Sequence, residues 1–201
     1  MERFQSAIQN DDPTVESFEL KNLADDLTAQ YAHAAEKAGE CGFMDLTPQV
    51  IHGDWHPGNV LFVDAPGGVR PGHVAAVVDF DASRMEPRIV DLANGVLHFA
   101  MRSKPGESPA HWPHTLSARR LRAFISGWKQ AIVEISDQEA HTLPWLMIEA
   151  AIAESVVPVA ETGRFATVPG FPFLSMVREK VRWIKARYRA ISRELTQEHR
   201  Q

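Results

Sequence analysis

The residues His52-Gly53-Asp54-Trp55-His56-Pro57-Gly58-Asn59 are the most informative stretch of this sequence. They are entered from the apolar residues Val50-Ile51, and a short apolar run, Asn59 to Val63, follows them. Pro57 and Gly58 allow a sharp turn before Asn59, because proline presets its backbone angle and glycine has no Cβ to clash. The stretch therefore predicts a tight polar loop at the edge of a small β element.

A hairpin is predicted directly after this loop. The run Val74 to Phe80 is β-branched like Asn59 to Val63, and residues 64–72 between the two runs are dense in Gly, Pro and Asp. This pattern indicates two strands joined by a long loop. We expect a β insert at about residues 50–81 that carries the polar loop.

Three side chains of this insert suit phosphoryl transfer. Asp54 and Asn59 are five positions apart, which is the spacing of the base and the magnesium-binding asparagine in protein-kinase catalytic loops. Asp79 ends the second strand, where a second metal ligand is expected. Carboxylate and amide oxygens are the hard ligands that Mg²⁺ prefers. The hypothesis requires that the side chains at 54, 59 and 79 converge on one point.

Taken together, the His52 to Asn59 loop, the Asp79-Phe80-Asp81 element and the later Asp91-Leu92-Ala93 resemble the aminoglycoside phosphotransferase and choline kinase family. The resemblance implies a protein-kinase-like C-terminal lobe of α+β class, mainly α. It implies that Asp54 is the catalytic base, that Asn59 and Asp79 hold Mg²⁺, and that Asp81 assists the metal or a nearby loop. It further implies ATP or GTP as co-substrate and a small hydroxyl compound as acceptor, such as an aminoglycoside, choline or ethanolamine, homoserine, or a sugar.

Further residues near the motif are candidates for supporting roles. A carboxylate at Asp91, on an apolar helix, needs donors, and we expect the backbone amides of the 52–54 loop to supply them. His52 is expected to support the loop from below. Trp55, His56 and Glu154 are candidate substrate contacts, each weighed against an ordinary packing, orienting or solvated role. Glu149 and Glu161 share the helix of Glu154 and are better explained as solvated charges.

Five helices are predicted from apolar spacing. The first runs from about Thr14 to Lys37, with Asp12 and Pro13 at its start and Gly39 at its end. The second follows Pro87 and should be buried, because it is apolar on nearly every side. The remaining three are a stripe from Leu121 to Ile135, a helix over about His141–Glu161 that Pro158 bends or ends, and a basic helix from Pro172 to Leu195 whose charges are expected to be solvated.

Composition limits the class of protein. The chain has 201 residues, 44% apolar and 23% charged, which predicts a single globular domain over 1–201. A net charge of −5 argues against nucleic acid as a partner. The lone Cys41, the polar start and the lack of a continuous apolar run predict no disulfide, no membrane span and a cytoplasmic location.

The segment before His52 lacks the family's nucleotide-clamping signals. Its only lysines are Lys21 and Lys37, both in the first helix, and it has no phosphate-covering glycine loop. We therefore expect the N-terminal nucleotide lobe to be absent, an exposed apolar surface where it would pack, and weak or no turnover by the chain alone. The chain could be a fragment, could receive that lobe from another polypeptide or pair as a homodimer, or could be a catalytically silent binding module. A less favoured alternative takes His52, Asp54 and His56 as ligands of a transition metal in a hydrolase.

Overall fold

The computed structural model describes residues 2–11, 15–63, 73–102, 106–131 and 134–196. Its helices are α1 (Glu2–Asp11), α2 (Ser17–Glu40), α3 (Ile89–Phe99), α4 (Ala118–Ala131), α5 (Asp137–Thr162), α6 (Gly170–Ala186) and α7 (Tyr188–Thr196). Its strands are β1 (Pro48–Ile51), β2 (Val60–Val63), β3 (His73–Val77), β4 (Arg84–Pro87), β5 (Arg164–Phe165) and β6 (Val168–Pro169). The protein is therefore mainly helical with small antiparallel sheets, as the sequence predicted at the level of class.

Helix α5 is the central element of the core. It packs against α1, α2, α3, α6 and α7, and residues such as Leu143, Met147 and Ile148 are fully enclosed. Its length and mean hydropathy alone would also allow it to cross a membrane. However, half of the residues in its most apolar stretch are buried inside the protein. An apolar helix without a polar face is expected at the centre of a helical core.

The helix boundaries differ from the predicted ones in ways that have local causes. Pro158 lies inside α5 without ending it, and the helix stops at Gly163, which adopts a left-handed φ of 78°. The left-handed residue after α2 is Gly42, with a φ of 86°, while Gly39 stays helical. A positive φ is the conformation that favours glycine at helix ends. Asp12 and Pro13, predicted to start the first helix, lie outside the described residues.

Two helices were missed as separate elements. Helix α1 was not predicted, although its Ile8 is fully buried in the core. The basic C-terminal helix is two helices, because α6 ends at Ala186 and α7 begins at Tyr188. The apolar stripe continues through this break, so spacing alone could not reveal it.

The β element consists of two separate two-stranded sheets. The predicted hairpin is present as the antiparallel pair β2–β3, with Val60 opposite Val77, while its connecting loop 64–72 lies outside the described residues. The second pair, β1–β4, joins Pro48 to Pro87 and was not predicted. Strands therefore extend beyond the expected 50–81 insert on both sides.

Both sheets expose apolar side chains. Val50 and its cross-strand partner Met85 are exposed, and so are Phe62 and its partner Val74. Exposed apolar area of this kind is unusual on a surface that only contacts water.

A largely buried ion pair fixes the start of α3 against the start of α5. Arg88 Nε donates to Glu139 Oε1 at 2.7 Å and Arg88 Nη2 donates to Glu139 Oε2 at 3.1 Å. Glu139 is also the third residue of a capping box with Ser136. Burial raises the pKa of Glu139, but the hydrogen bonds from Arg88 and Ser136 outweigh it, so the pKa of Glu139 lies below its ordinary value. The pair therefore stabilises the fold above the ordinary glutamate range and loses that effect as pH falls through the lowered pKa.

Gly95 on α3 allows two aromatic rings to approach the helix. A Cβ built there would lie 2.3 Å from Phe124 Cζ and 2.6 Å from Trp55 Cδ1. Both rings would have to move, and Trp55 belongs to the polar loop. Packing on this face of α3 therefore reaches directly into the loop.

We predict that Gly95→Ala lowers the free energy of unfolding by about 1–2 kcal/mol, because overpacking outweighs the gain in helix propensity. The matched control is Gly127→Ala on α4, where nothing lies within 4 Å of the new Cβ. That variant should gain about 0.5–1 kcal/mol. Urea titration followed by circular dichroism measures both, and equal gains in the two variants would contradict the packing argument.

Candidate active site

The polar loop runs from His52 to Asn59 between β1 and β2 and ends in a short 3-10 turn, Pro57–Asn59. Asn59 is 5% exposed, and its Nδ2 donates to Asp54 Oδ2 at 3.1 Å and to the Asp54 backbone oxygen at 3.0 Å. The pair of residues singled out by their spacing is therefore in direct contact. Because the amide nitrogen of Asn59 is engaged, its amide oxygen is the atom left to bind a cation.

Asp91 on α3 holds the first half of the loop. Its Oδ2 accepts from the backbone N–H of His52 and its Oδ1 from that of Gly53, both at 2.8 Å. Gly53 has a left-handed φ of 79°, and a Cβ there would lie 2.3 Å from the backbone oxygen of Ala82. Only glycine fits this position without a shift, so the loop is fixed from both α3 and the turn before β4.

His52 connects the loop to the end of β3. It is 6% exposed, its Nε2 lies 3.0 Å from the Val78 backbone oxygen, and its Nδ1 accepts from the Asp54 N–H at 3.3 Å. Its ring also contacts Phe80 at a centroid distance of 4.8 Å. With both ring nitrogens engaged, His52 is not available as a ligand for the transition metal that a hydrolase would need.

Asp79 is next to the loop through the backbone. The Val78 N–H donates to the Asn59 backbone oxygen at 3.0 Å, so Asp79 follows a residue paired with Asn59. Asp79 is exposed and has a φ of 67°, one of two non-glycine residues described with a positive φ. This left-handed conformation costs free energy and is most often kept at functional positions.

The donor set matches Mg²⁺ in its chemistry. Among the described residues, no three His, Cys, Asp or Glu side chains are grouped as metal ligands, so Asp54, Asp79 and Asp81 do not form an all-carboxylate cage. Mg²⁺ ordinarily takes one or two protein oxygens together with substrate phosphates and water. An amide oxygen at Asn59 and an exposed carboxylate at Asp79 fit that description. Their convergence on one cation remains a prediction.

A row of titratable side chains leads away from Asp54. His56 Nε2 lies 3.4 Å from Asp54 Oδ2, while its Nδ1 accepts from the Gly58 N–H at 3.0 Å. The ring of His56 is 5.9 Å from that of His98, and His98 Nε2 lies 2.9 Å from Glu154 Oε2. The two candidate substrate contacts His56 and Glu154 are therefore joined through His98, which the sequence alone had not singled out.

Trp55 points inward from the loop. Its ring contacts the rings of His52 at 5.4 Å and Phe99 at 6.3 Å, and it lies against Gly95. These contacts favour a packing role for Trp55 and not a role as a wall of the substrate pocket.

A cleft of about 340 Å³ opens beside the loop, and Gly53, the residue before Asp54, contributes to its lining. Three carboxylates also line it, those of Glu86, Glu149 and Glu154, together with the Arg84 side chain. Burial raises the pKa of Glu149, and the nearby Glu86 raises it further. The cleft is therefore acidic and partly dehydrated. Glu86 was not among the predicted site residues because strand β4 was not recognised.

We predict that Asp91→Ala lowers the free energy of unfolding by about 2–4 kcal/mol, because it leaves two loop amides without an acceptor. Asp91→Asn is the matched control for charge, since it keeps the shape of the side chain and one acceptor oxygen. Its loss in the free energy of unfolding should be about half that of Asp91→Ala. Native-state hydrogen exchange should show faster exchange of the His52 and Gly53 amides in both variants. If the free energy of unfolding falls by less than about 1 kcal/mol and amide exchange is unchanged, Asp91 acts only through its charge near the N-terminus of α3.

Comparison with known proteins identifies a family model that matches most of the chain. The model of the phosphotransferase enzyme family, APH, matches residues 2–136. The match includes the whole loop, Asp79, Asp91 and His98, and it ends directly before α5. No curated protein matches the chain. Because this match covers more than half of the chain, the chain belongs to the phosphotransferase enzyme family.

Proposed function

We propose that this chain is a protein-kinase-like C-terminal lobe that transfers the γ-phosphoryl group of ATP or GTP to a hydroxyl of a small amino-alcohol. The observation that carries the proposal is the contact of Asp54 with Asn59 in a loop held by Asp91, beside an acidic cleft. Membership of the phosphotransferase enzyme family supports the reaction class.

Asp54 is proposed as the base. Its carboxylate is half-buried, and Asn59 Nδ2 and His56 Nε2 hold it from two sides. The acceptor hydroxyl gives its proton to Asp54 as its oxygen forms a bond to the γ-phosphorus. The bond between that phosphorus and the oxygen bridging to the β-phosphate breaks, and the nucleoside diphosphate leaves with the electron pair. A carboxylate fixed before substrate arrives needs little reorganisation during this step.

Asn59 and Asp79 are proposed to hold Mg²⁺, with Asp81 assisting. When bound, the ion would neutralise charge on the phosphates of the nucleotide. Asn59 is suited to this task because the bond to Asp54 fixes which atom of its amide is left to face the metal. Asp79 is suited because its exposed side chain is attached to a backbone paired with Asn59.

The acceptor class follows from the charge of the cleft. Glu86, Glu149 and Glu154 contribute three carboxylates to about 340 Å³. Arg84 Nε pairs with Glu86 Oε1 at 2.9 Å and His98 Nε2 lies 2.9 Å from Glu154 Oε2, whereas no ion pair joins Glu149 to another described residue. An ammonium group would relieve the repulsion between Glu86 and Glu149. We therefore place the amine of the acceptor near Glu149 and its hydroxyl toward Gly53 and Asp54.

The exposed apolar residues of the two sheets adjoin the loop and support a further partner. Either a nucleotide-binding lobe on a separate polypeptide or, as the alternative, a second copy of the chain in a homodimer is proposed to cover Val50, Met85, Phe62 and Val74. Until it does, we expect turnover to be slow, because nucleotide positioning supplies much of phosphoryl-transfer catalysis.

The proposed base is tested by Asp54→Asn. We expect phosphate transfer to an amino-alcohol panel to fall about 10²–10⁴-fold, since the hydroxyl loses its proton acceptor. Product formation is measured by ³¹P NMR after long incubation with Mg²⁺ and ATP or GTP. The matched control is Asp25→Asn, an exposed carboxylate on α2 that pairs with Lys21, and it should leave the rate unchanged.

Two outcomes would count against this assignment. Full activity in Asp54→Asn would remove Asp54 as the base. Magnesium-dependent nucleotide binding by calorimetry, with no transfer to any alcohol by the unsubstituted chain, would instead identify a catalytically silent binding module.

The acidic cleft is tested by Glu149→Gln. We expect amine binding to weaken about tenfold, or roughly 1.4 kcal/mol, because a charged partner is lost. The raised pKa of Glu149 means that its carboxylate is protonated at a higher pH than an ordinary glutamate. Amine affinity of the unsubstituted chain should therefore fall as pH is lowered through that raised pKa, and this dependence should be weaker in the variant.

Calorimetric titration with ethanolamine from pH 5 to pH 8 provides the measurement. Glu161→Gln is the control, because Glu161 is on the same helix but is exposed and does not line the cleft. Equal affinities in Glu149→Gln and Glu161→Gln would show that the acidic cleft is not where the amine binds.

A further inference from the structure

An apolar groove of about 370 Å³ lies between α2 and α5. Leu27 on α2 and Val157 and Ala160 on α5 are among the residues that line it. No charged side chain lines it in the part of the chain that the structure describes. The hydroxyl of Thr28, which also lines it, already donates to the Ala24 backbone oxygen at 2.8 Å. The groove therefore offers a surface for hydrocarbon and not for a polar group.

This groove is open at the protein surface. Val157 is 58% exposed and Tyr31 is also exposed, whereas Leu27 between them is buried. A concave apolar surface of this size on a helical domain ordinarily marks a place where a ligand or a partner binds. Its chemistry and its surroundings indicate which.

The groove is continuous with the acidic cleft. Tyr31 on α2 and Ala153 on α5 line both spaces. Glu149, which lines the cleft, is about one turn before Ala153, and Val157, which lines the groove, is about one turn after it. Residues four positions apart lie on the same side of a helix. Glu149, Ala153 and Val157 therefore form one row that leads from the cleft into the groove, over about 12 Å.

Glu149, at the start of this row, is a carboxylate that no described cation pairs with. The other two carboxylates of the cleft have partners, because Arg84 pairs with Glu86 and His98 Nε2 lies 2.9 Å from Glu154 Oε2. A cation is therefore best accommodated at Glu149, at the point where the acidic lining gives way to the apolar one. Charge complementarity at one end and an apolar surface at the other together describe an ammonium group with a hydrocarbon chain attached.

We propose that the groove binds an alkyl tail attached to the ammonium group that Glu149 binds. This inference rests on the proposed function and narrows its acceptor to amphiphilic amino-alcohols. The tail passes between Tyr31 and Ala153 and lies against Leu27 and Val157. A tail of about eight carbons covers most of the roughly 12 Å that separate Glu149 from Val157 along the helix. The α5 wall of the groove lies beyond residue 136, where the family match ends.

N-alkylated ethanolamines test the proposal, because they keep the amine and the hydroxyl and change only the tail. The series is ethanolamine, N-butylethanolamine and N-octylethanolamine, each below the concentration at which it forms micelles. Binding is measured by calorimetry at pH 7 without nucleotide, so the result does not depend on phosphate transfer. We expect affinity to rise at least about tenfold from the butyl to the octyl compound, because the added methylenes leave water.

Two variants separate the tail from the amine. Val157→Gln should reduce the rise from butyl to octyl to about threefold or less, because a polar side chain replaces apolar lining. Glu149→Gln should weaken both compounds by a similar factor and keep the rise. The matched control is Val63→Gln, the same change at a valine on β2 that is 54% exposed and lines neither space, and it should also keep the rise.

Thermal unfolding shows that Val157→Gln is folded. We expect its midpoint to stay close to that of the unsubstituted chain, because Val157 is on the surface and glutamine is a good helix former.

Three results would overturn the inference. The first is no binding of the octyl compound, or an affinity that does not increase with the tail. The second is an increase that survives Val157→Gln in full. The third is a groove covered by a second copy of the chain, seen in sedimentation velocity as a dimer that Val157→Gln dissociates.

The same ligands distinguish this inference from the proposed function. Phosphate transfer to ethanolamine with no effect of the tail on binding would leave the proposed function intact and remove only the groove. Binding that increases with the tail, without transfer to any compound of the series, would count against the proposed reaction and support the groove as a binding site.

Discussion

The two hydrogen bonds from the Asp91 carboxylate to the His52 and Gly53 amides are the constraint on which the site depends. They attach a loop, which has little core of its own, to a helix whose other side is buried against α5. Arg88 and Glu139 fix the start of that same helix. The position of Asp54 therefore depends on the helical core, two contacts away, as well as on the end of β3, which His52 and Asn59 contact. This arrangement allows a rigid carboxylate on a surface that is otherwise open.

Local signals in the sequence predicted the parts of this arrangement that are close in the chain. The spacing of Asp54 and Asn59, the β2–β3 hairpin and the buried α3 all arise from neighbouring residues, so periodicity and turn residues were sufficient. The β1–β4 pair joins residues far apart in sequence, and nothing in either run indicates its partner. Glu86 and His98 were missed for the same reason, because their value comes from what the fold places opposite them.

The spacing of the sequence indicated that Lys180 is buried, but its charge led to the opposite prediction. It lies three positions after Val177 and four before Ile184, both of them buried, so its spacing places it on the core side of α6. Among many arginines and lysines it was grouped with a solvated face. Most of that grouping holds, since Arg182, Lys185 and Arg189 are exposed. A charged residue on an apolar stripe therefore merits separate attention, because burial of a charge is costly and is rarely kept without a role.

The left-handed backbone of Asp79 has a consequence for engineering. Aspartate tolerates this conformation less well than glycine, so a search for thermally improved variants would be drawn to Asp79→Gly as a gain of some tenths to about one kcal/mol. That substitution would remove a side chain proposed to hold the metal. Selection for stability alone would thus favour loss of this proposed metal ligand, which makes residue 79 a position to inspect for a stability–function trade-off in libraries built on this protein.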